Sequence, residues 1–167
     1  MTERTEALPT YRFTVSAEAT ERELRLCGFE LLNHFLAMQH VLAEHLRLQP
    51  VDMLILLAAT TGNVQRAMRN EALAVEFRGS KQLPPQMAVP VSRRAIARIT
   101  RLPTETVRRH VESMVERGIL VSMPKGVHAP NRMNERWAFE ATVQLIESHA
   151  ACTEKLVALQ AIAPQRP

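Results

Sequence analysis

The sequence predicts a mostly α-helical chain with long helices towards both ends and one small β-hairpin in its second half. Three observations carry that expectation. Apolar residues recur every three or four positions through 24–48, 54–77 and 137–162, the spacing of one helix face. Aromatic residues make up only 4% of the 167-residue chain, although 46% of it is apolar; the excess of Leu, Val, Ile, Ala and Met suits helix packing better than a β-sandwich. A strand–turn–strand pattern occurs once, at 119–129. This length and apolar content suffice for one domain with a real core, with or without helical extensions.

Taken in order, residues 1–16 (MTERTEALPTYRFTVS) are polar and mixed in charge and read as a loose N-terminal arm. Ser16 and Thr20 are candidate N-caps, and Thr20 with Glu23 has capping-box spacing. Leu24, Cys27, Leu31, Leu32, Phe35, Met38, Val41, Leu42 and Leu48 predict one long helix over 17–49. Leu24, Leu31, Phe35, Met38 and Leu42 fall on heptad-like positions that suit a dimer seam. Pro50 interrupts the run and fits the first turn of a new helix. Leu54, Leu57, Val64, Met68 and Val75 carry that helix to about residue 77, with Gly62 as a weak or bent point.

The segment RGSKQLPPQMAVP, 78–90, reads as a connector, because Pro84 and Pro85 forbid helix. Residues 87–91 fit a short strand that Pro90 confines to a sheet edge. Ser92 is a good N-cap for a helix over 93–100, with Ala95, Ile96 and Ile99 on its inner face. After a turn at 101–103, a second helix starts at 103 or 104 and runs to 117 on Val107, Val111, Met114 and Val115; Gly118 stops it. Strands follow at 119–123 and 127–129 around a turn at 124–126. Trp137, Phe139, Val143, Ile146, Ala150, Leu156, Leu159 and Ile162 then predict a C-terminal helix within 131–163, for packing and dimerisation.

Several function classes find no support. Cys27 and Cys152 are far apart and make no disulfide framework, no secretory signal heads the chain, and the longest apolar run, 53–59, is too short for a bilayer. A cytoplasmic protein with reduced thiols is expected. There is no nucleophile elbow, glycine-rich phosphate loop, HExxH or paired-carboxylate signature, so no catalysis and no cofactor are expected. His40 and His45, five apart, share no helix face, and nearby Glu44 and Asp52 complete no acid–base set. Cys27 with His34, and His149 with Cys152, each share a face; were the first and last helices to pack together, four zinc-type ligands could converge. That spacing is no known zinc signature, and small buried cysteines are common in helical dimers, so no metal site is expected. The apolar stripes could also line an effector pocket between subunits, but such stripes are more often core or seam, and no ligand is indicated.

The charge distribution is more telling than the formal total of +4. From 78 to 132 there are 11 Lys and Arg against 3 Asp and Glu, a net +8; the remainder has 10 against 14, a net −4. A basic block in an acidic body is the footprint of a polyanion-binding module, unless it is only a solvated arginine-rich surface. The same block carries two short helices around a tight turn. Ala97 offers a small contact residue, Leu102 plugs the turn, and Val107 and Val111 anchor the second helix from beneath. The opposite face carries Thr104, Glu105, Thr106, Arg108, Arg109, Glu112 and Ser113. Arg108 or Arg109 suits bidentate bonding to guanine, and Thr104 and Thr106 suit phosphate at a helix N-terminus. Glu105 suits a cytosine amino group or orients an arginine. Ser113 completes the exposed face. Arg93, Arg94 and Arg98 are placed for phosphate, and Lys125 at the hairpin tip for an adjacent groove. His110 reads either as half-buried packing or as a phosphate contact.

The run SRRAIARITRLPTETVRRHVESMVERGILVSMPKGV, 92–127, resembles the winged helix-turn-helix of bacterial transcriptional regulators. LPTETVRRHVESMVERGIL, 102–120, is particularly similar to the recognition helix and following strand of IclR-, GntR- and MarR-type regulators. The resemblance implies a recognition helix in the major groove and a hairpin wing. The order of elements departs from the short reader and large sensor of the IclR and GntR types and is nearer the MarR pattern, in which helices at both chain ends make the dimer. The expected organisation is an arm over 1–16, a dimerisation helix over 17–49, a winged helix-turn-helix over 50–130 and a packing helix over 131–163. The expected function is a sequence-specific transcriptional regulator, a homodimer on double-stranded DNA with two recognition helices in successive major grooves. The alternatives are a non-transcriptional DNA binder of the plasmid replication or partition type, and a winged module that binds a protein.

Overall fold

The computed structural model describes residues 12–77, 87–132 and 135–165. Most of the N-terminal arm and most of the connector with Pro84 and Pro85 lie outside them. The described residues are mostly helical, with seven helices and two two-stranded antiparallel pairs. The chain divides into two units, residues 1–40 with 143–167, and residues 41–142. No described helix is long and apolar enough to cross a membrane.

In the first unit the first and last described segments pair. Strand β1 (Arg12–Val15) pairs antiparallel with a strand formed by Ile162–Gln165, in the register Arg12 with Gln165 to Val15 with Ile162. This corrects two expectations, that 1–16 is a loose arm throughout and that helix reaches residue 163. Ser16 caps α1 (Ala17–Arg22), accepting from Ala19 N at 3.1 Å. Thr20 is no cap: inside α1, its hydroxyl donates to the Ser16 carbonyl at 2.7 Å. Glu23, at φ −106° and ψ 25°, breaks the expected single helix, and α2 runs Leu24–Leu46. Arg47 then takes a left-handed conformation, φ 51°, which ends α2 before Leu48.

The core of the second unit forms around α3 (Pro50–Met68), with Pro50 in its first turn as expected. The periodic run to 77 is two helices, because the Asn70 side chain accepts from Leu73 N at 3.1 Å and opens α4 (Glu71–Glu76). Ser92 caps α5 (Arg93–Thr100), and α6 follows at Thr104–Glu116. Gly118, φ 71°, supplies the stop after α6. Ile55, Ala59, Ile96, Val107, Val111, Met114, Leu120 and Val127 are buried together. Ile99 is exposed rather than inward, since Ile96 and Ala97 define the buried side of α5. The hairpin is β2 (Val121–Met123), two residues shorter than the pattern suggested, with β3 (Gly126–His128), of the expected length but one residue earlier. The expected strand at 87–91 reduces to one bridge, Val91 with Val127. Helix α7 spans Arg136–Ala158, and the terminal strand is β4.

What ties hairpin, connector and α3 together is Asn63, 1% exposed. Its Nδ2 donates to the Val89 and Val127 carbonyls at 2.7 and 3.2 Å, and its Oδ1 accepts from Ala129 N at 2.9 Å. The Asn63 carbonyl also accepts from Val89 N at 3.0 Å. Close approach makes this possible. A Cβ on Gly62 would stand 2.7 Å from Val91 Cγ2, so this glycine is a contact point and not a bend. Gly126, at φ 152°, abuts the Val91 carbonyl so closely that no side chain fits.

Asn63→Ala strands the buried Ala129 N–H and takes the side-chain donor from the Val89 carbonyl, while the Val127 carbonyl keeps its bond from Val91 N. It is expected to lower the unfolding free energy by about 2–4 kcal/mol, read as an earlier urea midpoint at unchanged slope.

Candidate nucleic-acid interface

Helices α5 and α6 position the basic residues. Between them, Arg101 adopts the left-handed conformation, φ 56°, and reverses the chain. Thr100 Oγ1 donates to the Ile96 carbonyl at 2.8 Å and accepts from Leu102 N at 3.4 Å, which steadies the turn. Leu102 packs partly buried against the core. Helix α6 lies on Val107, Val111 and Met114, all fully buried.

A charged clamp sets the rotation of α6. Asp52, in the first turn of α3 and 5% exposed, receives His110 Nδ1 on one oxygen at 2.7 Å and Arg117 Nη1 on the other at 2.9 Å. The position near a helix N-terminus also favours its negative charge. His110 is therefore a half-buried partner of Asp52 through Nδ1. Sequence periodicity could not reveal this, since Asp52 lies in a different helix.

On the outward side, Thr104, Glu105, Arg108, Arg109, Glu112 and Ser113 are exposed, and Thr106 is half-buried. Arg108 is not free. Its guanidinium meets Glu105 at 2.6 Å and Glu112 at 2.7 Å. The hydrogen bond from Arg108 holds the Glu105 carboxyl below the usual carboxylate range, and Glu105 followed by Glu112 raises the guanidinium further. To read a base, Arg108 must leave both carboxylates. Arg109 makes no ion pair within 4.0 Å among the described residues and is the better placed of the two.

Arg94 and Arg98, exposed on α5, line a concavity of about 550 Å³ with Ser92, Leu102 and Thr104. Pro103, at the α6 N-cap, offers no side-chain cap, so the first amides of α6 are left for another acceptor. Two guanidinium groups, two hydroxyls and a helix N-terminus suit an oxyanion such as phosphate. Arg101, exposed in the turn that follows α5, is a further cation of this block outside the lining of the concavity, and reads in sequence as a turn residue only. The arginine spacing 94, 98, 101 was the available signal. Arg93 is placed differently: it is half-buried, and its Nε is buried without a hydrogen-bond partner. Lys125 sits exposed in the turn between β2 and β3.

The four-ligand convergence of Cys27, His34, His149 and Cys152 is not formed. No group of three or more metal-type side chains is assembled among the described residues. Both cysteines are buried free thiols, and Cys152 Sγ faces the Glu30 carbonyl at 3.9 Å.

Truncation separates the two arms of the clamp. Asp52→Ala, which removes the buried partner, is expected to cost about 1–3 kcal/mol of stability. Arg117→Ala, at a side chain 48% exposed, is expected to cost under about 1 kcal/mol. Chemical denaturation of both variants checks the ratio.

Compared with protein-family models, with curated proteins and with solved structures, the chain has no match, so its function is argued from its own residues.

Proposed function

We propose that this chain is a sequence-specific DNA-binding transcriptional regulator that acts as a homodimer in the cytoplasm, with residues 50–130 as a winged helix-turn-helix. The observation that carries the reading is α6 itself. One face is sealed by Val107, Val111 and Met114, the other is open to solvent, and exposed arginines flank its N-terminus. In this reading α6 enters the major groove and Arg109 bonds to a base edge. Arg94, Arg98, Arg101 and the start of α6 hold backbone phosphate, and the β2–β3 turn brings Lys125 to the flanking duplex.

Dimerisation rests on a second observation. Leu24, Leu31, Leu32, Phe35 and Leu36 are all more than half exposed on α2, and Phe139 and Ile146 are as exposed on α7. A run of this kind is larger than isolated surface leucines explain, and a second copy of the same helices would cover it. A dimer would present two copies of α6, which favours an inverted-repeat site.

One feature favours a second reading. Glu105 and Glu112 put two carboxylates on the outward face of α6, where duplex phosphates repel them and a basic protein surface would not. A winged module that docks a protein is therefore the alternative.

Duplex binding distinguishes the two. On DNA, log K should fall with log salt at about −0.9 per phosphate contact, and Arg94→Ala or Arg98→Ala should each shallow the slope by about that amount. Arg109→Ala should cost about 1–3 kcal/mol at a selected site and relax its specificity, and Arg108→Ala should cost less. Absence of duplex affinity at low salt overturns the DNA reading. Separately, Leu31→Asp or Phe35→Asp should halve the mass measured by light scattering; an unchanged dimeric mass removes α2 from the seam.

A further inference from the structure

Within the unit of residues 1–40 and 143–167, α2 and α7 bring two imidazoles together. His34 Nδ1 lies 3.0 Å from Ser148 Oγ, and His149 Nδ1 lies 3.3 Å from His34 Nε2. The ring centroids are 5.3 Å apart and tilted by 53°, so the rings are not stacked. The DNA-binding reading makes no use of the pair. We propose that His34 Nε2 and His149 Nδ1 bind one borderline divalent transition-metal ion, of which zinc is the type, with water or an exogenous anion completing its coordination.

The first argument is the spacing. Imidazole nitrogens bound to zinc at 2.0–2.1 Å and at the tetrahedral angle stand about 3.3 Å from one another, the separation found between His34 and His149. The second is the outer partner. When His34 Nδ1–H donates to the Ser148 hydroxyl, Nε2 carries the lone pair, and that bond restrains the ring. The third is access. His34 is half-buried and His149 exposed, so an ion reaches the pair from solvent. Lys155, the cation on this stretch of α7, is already paired with Glu30 at 2.8 Å.

Cys152, one turn beyond His149, is not a third ligand. Burial, then the charge of Glu30, pushes its thiol above the usual range, and it is turned to the Glu30 carbonyl. The site is thus a two-histidine one with open positions. It joins two helices distant in sequence, so the bound ion clamps α2 to α7 and stabilises the fold by mass action. The proposal is independent of DNA binding.

The test uses the full chain without a histidine tag. Zn²⁺ titrated against a chromophoric chelator should give one ion per chain and a higher melting temperature than the metal-free protein. His149→Ala, at an exposed position, should weaken binding by at least about tenfold and remove the thermal shift, as should His34→Ala. Ser148→Ala should weaken it by about 10–100-fold. His40→Ala, at an exposed histidine of α2 outside the pair, should change nothing. Absence of uptake and thermal shift in the wild-type chain overturns the proposal, as does uptake that survives His149→Ala unchanged. Far-UV circular dichroism on the same samples verifies folding; if His34→Ala unfolds, His149→Ala decides the outcome.

Discussion

The second unit is organised around the side-chain amide of Asn63. A two-stranded hairpin satisfies only half of its own backbone groups, and β3 lies against protein and not water. The unmet groups need partners inside the core, where leaving them bare is costly. Asn63 offers two donors and one acceptor on a single flat group. Two carbonyls and one N–H from the connector and hairpin use all three. That arrangement also fixes which amide atom is nitrogen. Everything near it yields to the geometry: Gly62 and Gly126 have no side chain because Val91 lies where one would go. Val91 and Val127 exchange both backbone bonds at 2.9 Å.

Charge is divided with similar economy around α6. Its inner flank has a buried carboxylate, Asp52, with the His110 imidazole on one oxygen and the Arg117 guanidinium on the other. Its outer flank has the reverse, one guanidinium between two carboxylates, on the exposed surface. The inner set resists rotation of the helix because breaking it strands a buried charge. The outer set exchanges with water at small cost, so a polyanion or a basic partner can rearrange it. Together the two flanks give α6 a fixed axis and adaptable outward side chains.

Much of the fold was legible in sequence, and for a common reason. Apolar period, Pro50, Ser92, Gly118 and the turn at 124–125 act over a few residues, so pattern alone places α3, α5, α6 and the hairpin. The buried trio Val107, Val111 and Met114 follows from the same period. What escaped was decided at a distance. Asn63 looks like an ordinary polar residue in a helix, and Asp52 like a first-turn acid, until the partners beyond them are known. The breaks at Glu23 and Asn70 were missed because an amphipathic run continues across them. The β1–β4 ladder was missed because each strand is four residues long and has no local signature. At the candidate site, residue types were legible and their availability was not: Arg108 and Arg109 are adjacent and look equivalent, yet two glutamates occupy only Arg108.

The β1–β4 ladder has a kinetic consequence. It joins segments separated by nearly the whole described chain, so its closure carries the largest loop entropy of any pairing present. All four residues of β1 are exposed, so little apolar burial offsets that entropy. Such a contact forms after the local hairpin and the α5–α6 pair and opens before them. The ladder is therefore a late latch, and its amides should be the first strand amides to exchange with solvent while the core around Asn63 stays protected.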